Sequence, residues 1–113
     1  PVALEQVVHN LVLNALQALE RVPAGRRQLR LAAQADGAVL HLLVQDSGPG
    51  FAPAALARAF EPFFTTREGG LGLGLSLCET LAAGMGGALS ARNRPEGGAE
   101  LRLTLPQAGA ATP

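Results

Sequence analysis

The chain carries three Asn, and two of them, Asn10 and Asn14, stand one helical turn apart, with Gln6 and Gln17 on the same stripe. Each Asn costs a helix about 0.5–0.7 kcal/mol relative to Ala, so a row of neutral carboxamides beside an apolar face asks for a reason. A solvated face is one, although such faces usually carry Glu, Lys or Arg. The other is chemical. Amide NH2 groups can donate to phosphate oxygens, and an amide oxygen can be a hard ligand for Mg2+, which keeps several waters and takes phosphate oxygens as well.

A second group is Gly69, Gly70, Gly72 and Gly74, four glycines within six residues, running into a helical pattern of Leu73, Leu77, Cys78 and Leu81. Such a loop lets backbone N–H groups approach an anion at the positive end of a helix. A loop whose leucines pack while its glycines turn reads the same way. No Lys-Ser or Lys-Thr follows, so this is not a P-loop, and the spacing differs from the dinucleotide fingerprint. Third, Asp46 falls in period two with Leu40, Leu42 and Val44, which aims its carboxylate at the core. A buried carboxylate needs donors. Gly48 and Gly50 leave room beside it for a flat ring, and the exocyclic amine of adenine would donate where guanine presents a carbonyl. Asp-Ser-Gly is also a common turn cap. Fourth, Phe60, Phe63 and Phe64, three of the chain's four Phe, flank a loop holding Thr65, Thr66 and Arg67. They suit either a docking lid or plain core filling.

These groups must be positioned by one compact domain, since the chain has 113 residues. With 48% apolar residues, no Trp or Tyr and four Phe, its core must be mostly Leu, Val and Ala. The net charge is zero and all nine basic residues are Arg, which leaves no basic footprint for nucleic acid or an anionic membrane. No apolar run approaches a membrane span and no signal-peptide pattern opens the chain, so a soluble, cytoplasmic domain is expected. The single Cys, Cys78, lies on the apolar side of its helix and reads as a core thiol.

The spacing predicts a helix from Val2 to Arg21, with Leu4, Val7, Val8, Leu11, Ala15 and Leu19 as its apolar positions, ended by Pro23 and Gly25. Strands over Gln28–Ala35 and Ala38–Gln45 follow, with Asp36-Gly37 as a two-residue turn. A short helix over Pro53–Phe60, a helix over Leu73–Ala83, and strands over Ala88–Arg94 and Glu100–Leu105 complete the order, with Pro106 stopping the last strand. Residues 1–106 form the domain and 107–113 a frayed tail. The expected fold class is α+β: a two-layer α/β sandwich whose mixed, mostly antiparallel sheet is covered on one face by helices.

In order along the chain, four segments resemble the boxes of one family. Gln6–Ala15 resembles an asparagine box, Asp46-Ser47-Gly48-Pro49-Gly50 a first glycine box, Glu61–Thr66 a phenylalanine box and Gly70–Ser76 a second glycine box. Gly97–Pro106 matches a closing strand. The chain resembles the catalytic ATP-binding domain of bacterial sensor histidine kinases, of the Bergerat fold shared with gyrase and mismatch-repair ATPases. Its short lid and Asn14–Ala18 look most like the nitrogen-regulation and oxygen-sensing branch.

The resemblance implies ATP and Mg2+ as cofactors. By it Asn14 holds the metal, Asn10 stands at the phosphates and Asp46 reads adenine. Gly48 and Gly50 shape the base pocket; Gln17 joins the candidate ATP-binding residues from its place on the amide stripe. Gly70, Leu71, Gly72, Leu73, Gly74, Leu75 and Ser76 wrap the phosphates, and Thr65, Thr66 and Arg67 belong to the lid. Arg67 stands where this branch usually has Lys, and a planar fork replaces a point charge. Met85 replaces a frequent His and Leu101 a frequent Phe, both read as packing changes.

ATP hydrolases of the superfamily carry a water-activating Glu one turn before the metal-binding Asn. Here that position is Asn10, and an amide cannot take a proton. The fitting chemistry is transfer of the γ-phosphoryl group to a histidine by positioning and charge neutralisation, with Asn10 and Arg67 as candidate catalytic residues. His9 and His41 lack the surroundings of the family's phosphoacceptor. The implied partners are therefore a separate dimerisation and phosphoacceptor domain and a response-regulator receiver domain, within a homodimeric parent, and an N-terminal truncation is expected. A nucleotide-dependent interaction module, or a serine kinase of the anti-sigma type, is the alternative.

Overall fold

The computed structural model describes residues 2–61 and 74–106. Pro62–Thr66, Arg67, Gly70, Leu71, Gly72 and Leu73, expected in the lid and the phosphate loop, and the expected 107–113 tail lie outside them.

Helix α1 spans Val2–Leu19. Val7, Leu11, Ala15 and Leu19, spaced by one turn, are its buried stripe. A 3-10 turn at Ala24–Arg26 leads into strand β1 (Leu29–Asp36), which pairs antiparallel with β2 (Val39–Asp46). The turn is Gly37-Ala38 and not the expected Asp36-Gly37, because Asp36 still pairs with Val39. Gly37 thereby takes the first central position with φ of 59°, a conformation only Gly adopts freely. Helix α2 covers Pro53–Ala57, shorter than expected, with Pro53 opening its first turn. Helix α3 spans Gly74–Gly84 and is followed by β3 (Ala88–Asn93) and β4 (Ala99–Pro106). Pro106, expected to stop β4, is its last residue, opposite Val39.

The strand order is β1-β2-β4-β3, and every pairing among the described residues is antiparallel. Side-chain alternation then divides the sheet into two faces. Val44, Leu101, Leu103, Leu105 and Leu89 face α1 and α3 and join Val7, Leu11, Ala15, Cys78 and Ala82 in one core. Phe60 packs against its edge. On β1, Leu29 packs against this core, whereas Leu31 stays 57% exposed.

The outer face departs from simple alternation at Glu100, which is only 2% exposed. The register sets Gln45, Glu100 and Arg92 in one cross-strand row. Arg92 donates through Nε to Oε2 at 2.7 Å and through Nη2 to Oε1 at 3.2 Å, and Gln45 donates to Oε1 at 2.6 Å. The Arg92 fork holds the Glu100 carboxyl below its ordinary range, against the opposing effect of burial. This row ties β2, β4 and β3 together one residue from Asp46, Ala99 and Asn93.

Candidate functional site

Asp46 ends β2 on the inner face and is 3% exposed. Its inward orientation is what period two predicted. Its Oδ1 accepts the Gly48 N–H at 2.9 Å and the Ala99 N–H at 3.3 Å. The first bond is the turn cap anticipated for Asp-Ser-Gly, so capping and an inward carboxylate coexist in one residue. Oδ2 accepts no hydrogen bond from the described residues.

The segment after Asp46 is held from several sides. Ser47 Oγ accepts the Gln28 N–H and donates to the Arg26 carbonyl, both at 2.8 Å. Gly48 lies so close to α1 that a Cβ there would stand 3.1 Å from the Ala18 Cβ and 3.0 Å from Asp46 Oδ1. Phe51 is paired on both backbone groups with the Asn93 carboxamide. Its N–H donates to Oδ1 at 2.7 Å, and Nδ2 donates to its carbonyl at 2.8 Å. Arg94 Nη1 donates to the Asp46 carbonyl at 3.0 Å. In the turn just before β4, Gly98 has φ of 91°, and a Cβ on it would collide with the Asp46 carbonyl oxygen.

The amide stripe leads away from this point along α1. Ala18 touches Gly48, and Asn14 and Asn10 follow at one-turn steps, both half-buried. Eight residues of helix span about 12 Å. Gln6 donates to Asn10 Oδ1 at 3.4 Å, an exposed contact. At the far end α1 meets α3. Cys78, fully buried, sits 3.8 Å from the Val7 carbonyl oxygen and within hydrogen-bonding reach of the Asn10 side chain. Burial pushes the Cys78 thiol up, partly offset by that amide. Gly74 opens α3 one turn before Cys78. Leu75 and Ser76 are half-buried in that first turn, and Gln17 is half-buried near the end of α1.

Ala18 thus meets Gly48 beside Asp46 at one end of the amide stripe, and Val7 meets Cys78 of α3 at the other. Gly50 lies within the segment tied to Asn93. His41 sits on the outer face, 2.9 Å from Thr104 Oγ1, and His9 is exposed on α1. Asn93, Arg94 and Ala99 carry no local sequence pattern that points to this segment. Asn93 is the third Asn of a chain that has only three, the one available hint.

A model of the family described as histidine kinase-, DNA gyrase B- and HSP90-like ATPase matches residues 1–109. The C4-dicarboxylate transport sensor protein DctB of Pseudomonas aeruginosa is 48% identical over 90% of this chain and 17% of its own length. The sensor protein FixL of Bradyrhizobium diazoefficiens is 36% identical over 95% of this chain and 21% of its length. The chain therefore spans about a fifth of these curated relatives. The structure of full-length ShkA in complex with AMPPNP superposes with a TM-score of 0.76 and 37% identity, covering 92% of this chain and 21% of that one. The catalytic domain of the histidine kinase ThkA gives 0.79 at 29% identity, covering 93% and 66%.

Proposed function

The chain belongs to the histidine kinase-, DNA gyrase B- and HSP90-like ATPase family, and from that premise we propose that it binds Mg-ATP and donates the γ-phosphoryl group to a histidine on a separate dimerisation domain. The observation that carries this reading is Asp46: a nearly buried carboxylate with one oxygen held by two N–H groups and the other available to a base. A donor such as the adenine amine would contribute about 1.5–3 kcal/mol there. From Asp46 the amides of α1 run toward the start of α3, the direction in which a triphosphate would extend.

Among the described residues no three His, Cys, Asp or Glu side chains gather to cage a metal. A Mg2+ ion would be held by the triphosphate together with the Asn14 amide oxygen, a hard donor that fits it. Its chemistry there would be to neutralise developing phosphate charge. Asn10 can donate to a phosphate oxygen but cannot take a proton from water, which favours transfer over hydrolysis. In the transfer the bond from the γ-phosphorus to the ADP oxygen breaks as one forms to an imidazole nitrogen. That nitrogen belongs to another domain, because His41 lies on the opposite face of the sheet and His9 points to solvent. Arg67 and the Thr65-Thr66 pair supply the lid, and Gly70, Gly72 and Gly74 wrap the phosphates. The phosphorylated histidine then serves a response-regulator receiver domain, within a homodimeric cytoplasmic kinase. None of the described helices is long and apolar enough to cross a membrane.

The test is to mix the chain with a histidine-bearing dimerisation domain and γ-labelled ATP. Acid-labile label on that domain is the expected result. Acid-stable phosphoserine on a protein partner, or binding with no transfer, would overturn the kinase reading in favour of an interaction module or a serine kinase.

A further inference from the structure

Two consecutive residues at the end of β3 hold the two ends of the segment Asp46–Phe51. Arg94 donates to the carbonyl of Asp46, and Asn93 closes a two-bond ring on the N–H and carbonyl of Phe51. Between those anchors Gly50 passes so near that a Cβ on it would stand 2.8 Å from Asn93 Oδ1. The ring copies an antiparallel rung, with a carboxamide taking the place of a second strand. We propose that Asn93 and Arg94 are positioning residues for the base pocket, fixing how far Phe51 and Gly50 stand from the Asp46 carboxylate. The proposal rests on the reading of Asp46 as the adenine-recognising group.

Among the described residues, the neighbouring contacts leave this task to them. Ser47 ties only the near end of the segment to residues 26–28. The far end enters α2 without a side-chain cap. Asn93 itself is exposed and terminal in its strand, so its carboxamide contributes little to the core. A side chain that holds the segment without filling the interior can be altered while the fold persists.

The test uses the full chain as wild type, Asn93→Ala and Arg94→Gln. Titration calorimetry with Mg-ATP and Mg-GTP is combined with amide hydrogen exchange at Phe51 and thermal melting. Loss of two hydrogen bonds should weaken ATP binding by Asn93→Ala about tenfold. GTP, which gains nothing from Asp46, should change far less, so the preference for adenine narrows. Phe51 exchange should accelerate and the melting temperature should stay within a few degrees. Arg94→Gln should narrow the preference in the same direction. Parallel weakening of both nucleotides would assign Asn93 a merely structural role and overturn the proposal. Unchanged ATP affinity beside faster Phe51 exchange would do the same. A wild type that binds neither nucleotide would overturn the base-pocket reading itself, and the proposal with it.

Discussion

Asp46 and Ala99 meet just beyond the last register pair of β2 and β4, where the Ala99 N–H donates to Asp46 Oδ1 at 3.3 Å. Because Gly48 uses the same oxygen, an amide oxygen in that place would serve both donors. Asp46→Asn should therefore keep the fold while replacing the available oxygen by a donor. Mg-ATP binding is expected to weaken by about 1–3 kcal/mol. Calorimetric titration of the two proteins measures it, and equal dissociation constants would remove Asp46 from the base pocket.

Gly98 and Gly97 are adjacent, and both have positive φ, 91° and 105°. Among the described residues, Gly98 has backbone against it, the Asp46 carbonyl group, whereas none lies within 4 Å of a Cβ at Gly97. Gly97→Ala should cost about 1 kcal/mol of backbone strain. Gly98→Ala must also displace Asp46, and should cost about 3 kcal/mol or more and weaken ATP binding as well. Denaturant unfolding of the pair separates the two contributions; equal losses would mean that the contact between the strands yields freely.

Much of this arrangement is legible in the sequence. The one-turn spacing of Val7, Leu11, Ala15 and Leu19 gives the buried face of α1, and period two from Leu40 gives the inward direction of Asp46. Both are local patterns, fixed by 3.6-residue and two-residue geometry. Asn93, Arg94 and Glu100 are different. Their partners lie 42, 48 and 55 positions away, at Phe51, Asp46 and Gln45. Only the β2-β4-β3 register brings them together, and no local periodicity encodes it. The Gly37-Ala38 turn shows the same limit on a smaller scale. Asp-Gly marks a hairpin, but which residue still pairs depends on where Gly places its positive φ.

The Glu100 row gives a pH dependence. Arg92 lowers the Glu100 carboxyl below its ordinary value of 4.5. A folded-state value below the unfolded one means that the unfolded chain binds more protons in between, so stability rises with pH there. The contribution is complete above the unfolded value and disappears as pH falls through the folded one. Glu100→Gln should be about 1 kcal/mol less stable than wild type at pH 7, a modest figure because Arg92 is half exposed to water. The gap should close between about pH 5 and pH 3. Denaturant unfolding at each pH tests this, and a constant gap would show that packing, not charge, is what Glu100 supplies.

Cys78 offers a reading of how far the site and the core open together. It is fully buried between α1 and α3, and burial holds its thiol protonated, so alkylation in the native state must pass through an open form. Separating α1 from α3 at Val7 and Cys78 also parts Asn10 from the helix that starts at Gly74. If that opening destroys the nucleotide site, Mg-ATP at a hundred times its dissociation constant should slow alkylation about a hundredfold, because the open form does not bind. Mass spectrometry of timed iodoacetamide reactions measures the ratio. A rate indifferent to nucleotide would mean that Cys78 is reached by a smaller local motion that leaves the amides of α1 in place. The thiol would then report on the packing of two helices, and the core around Cys78 would open independently of the site above it.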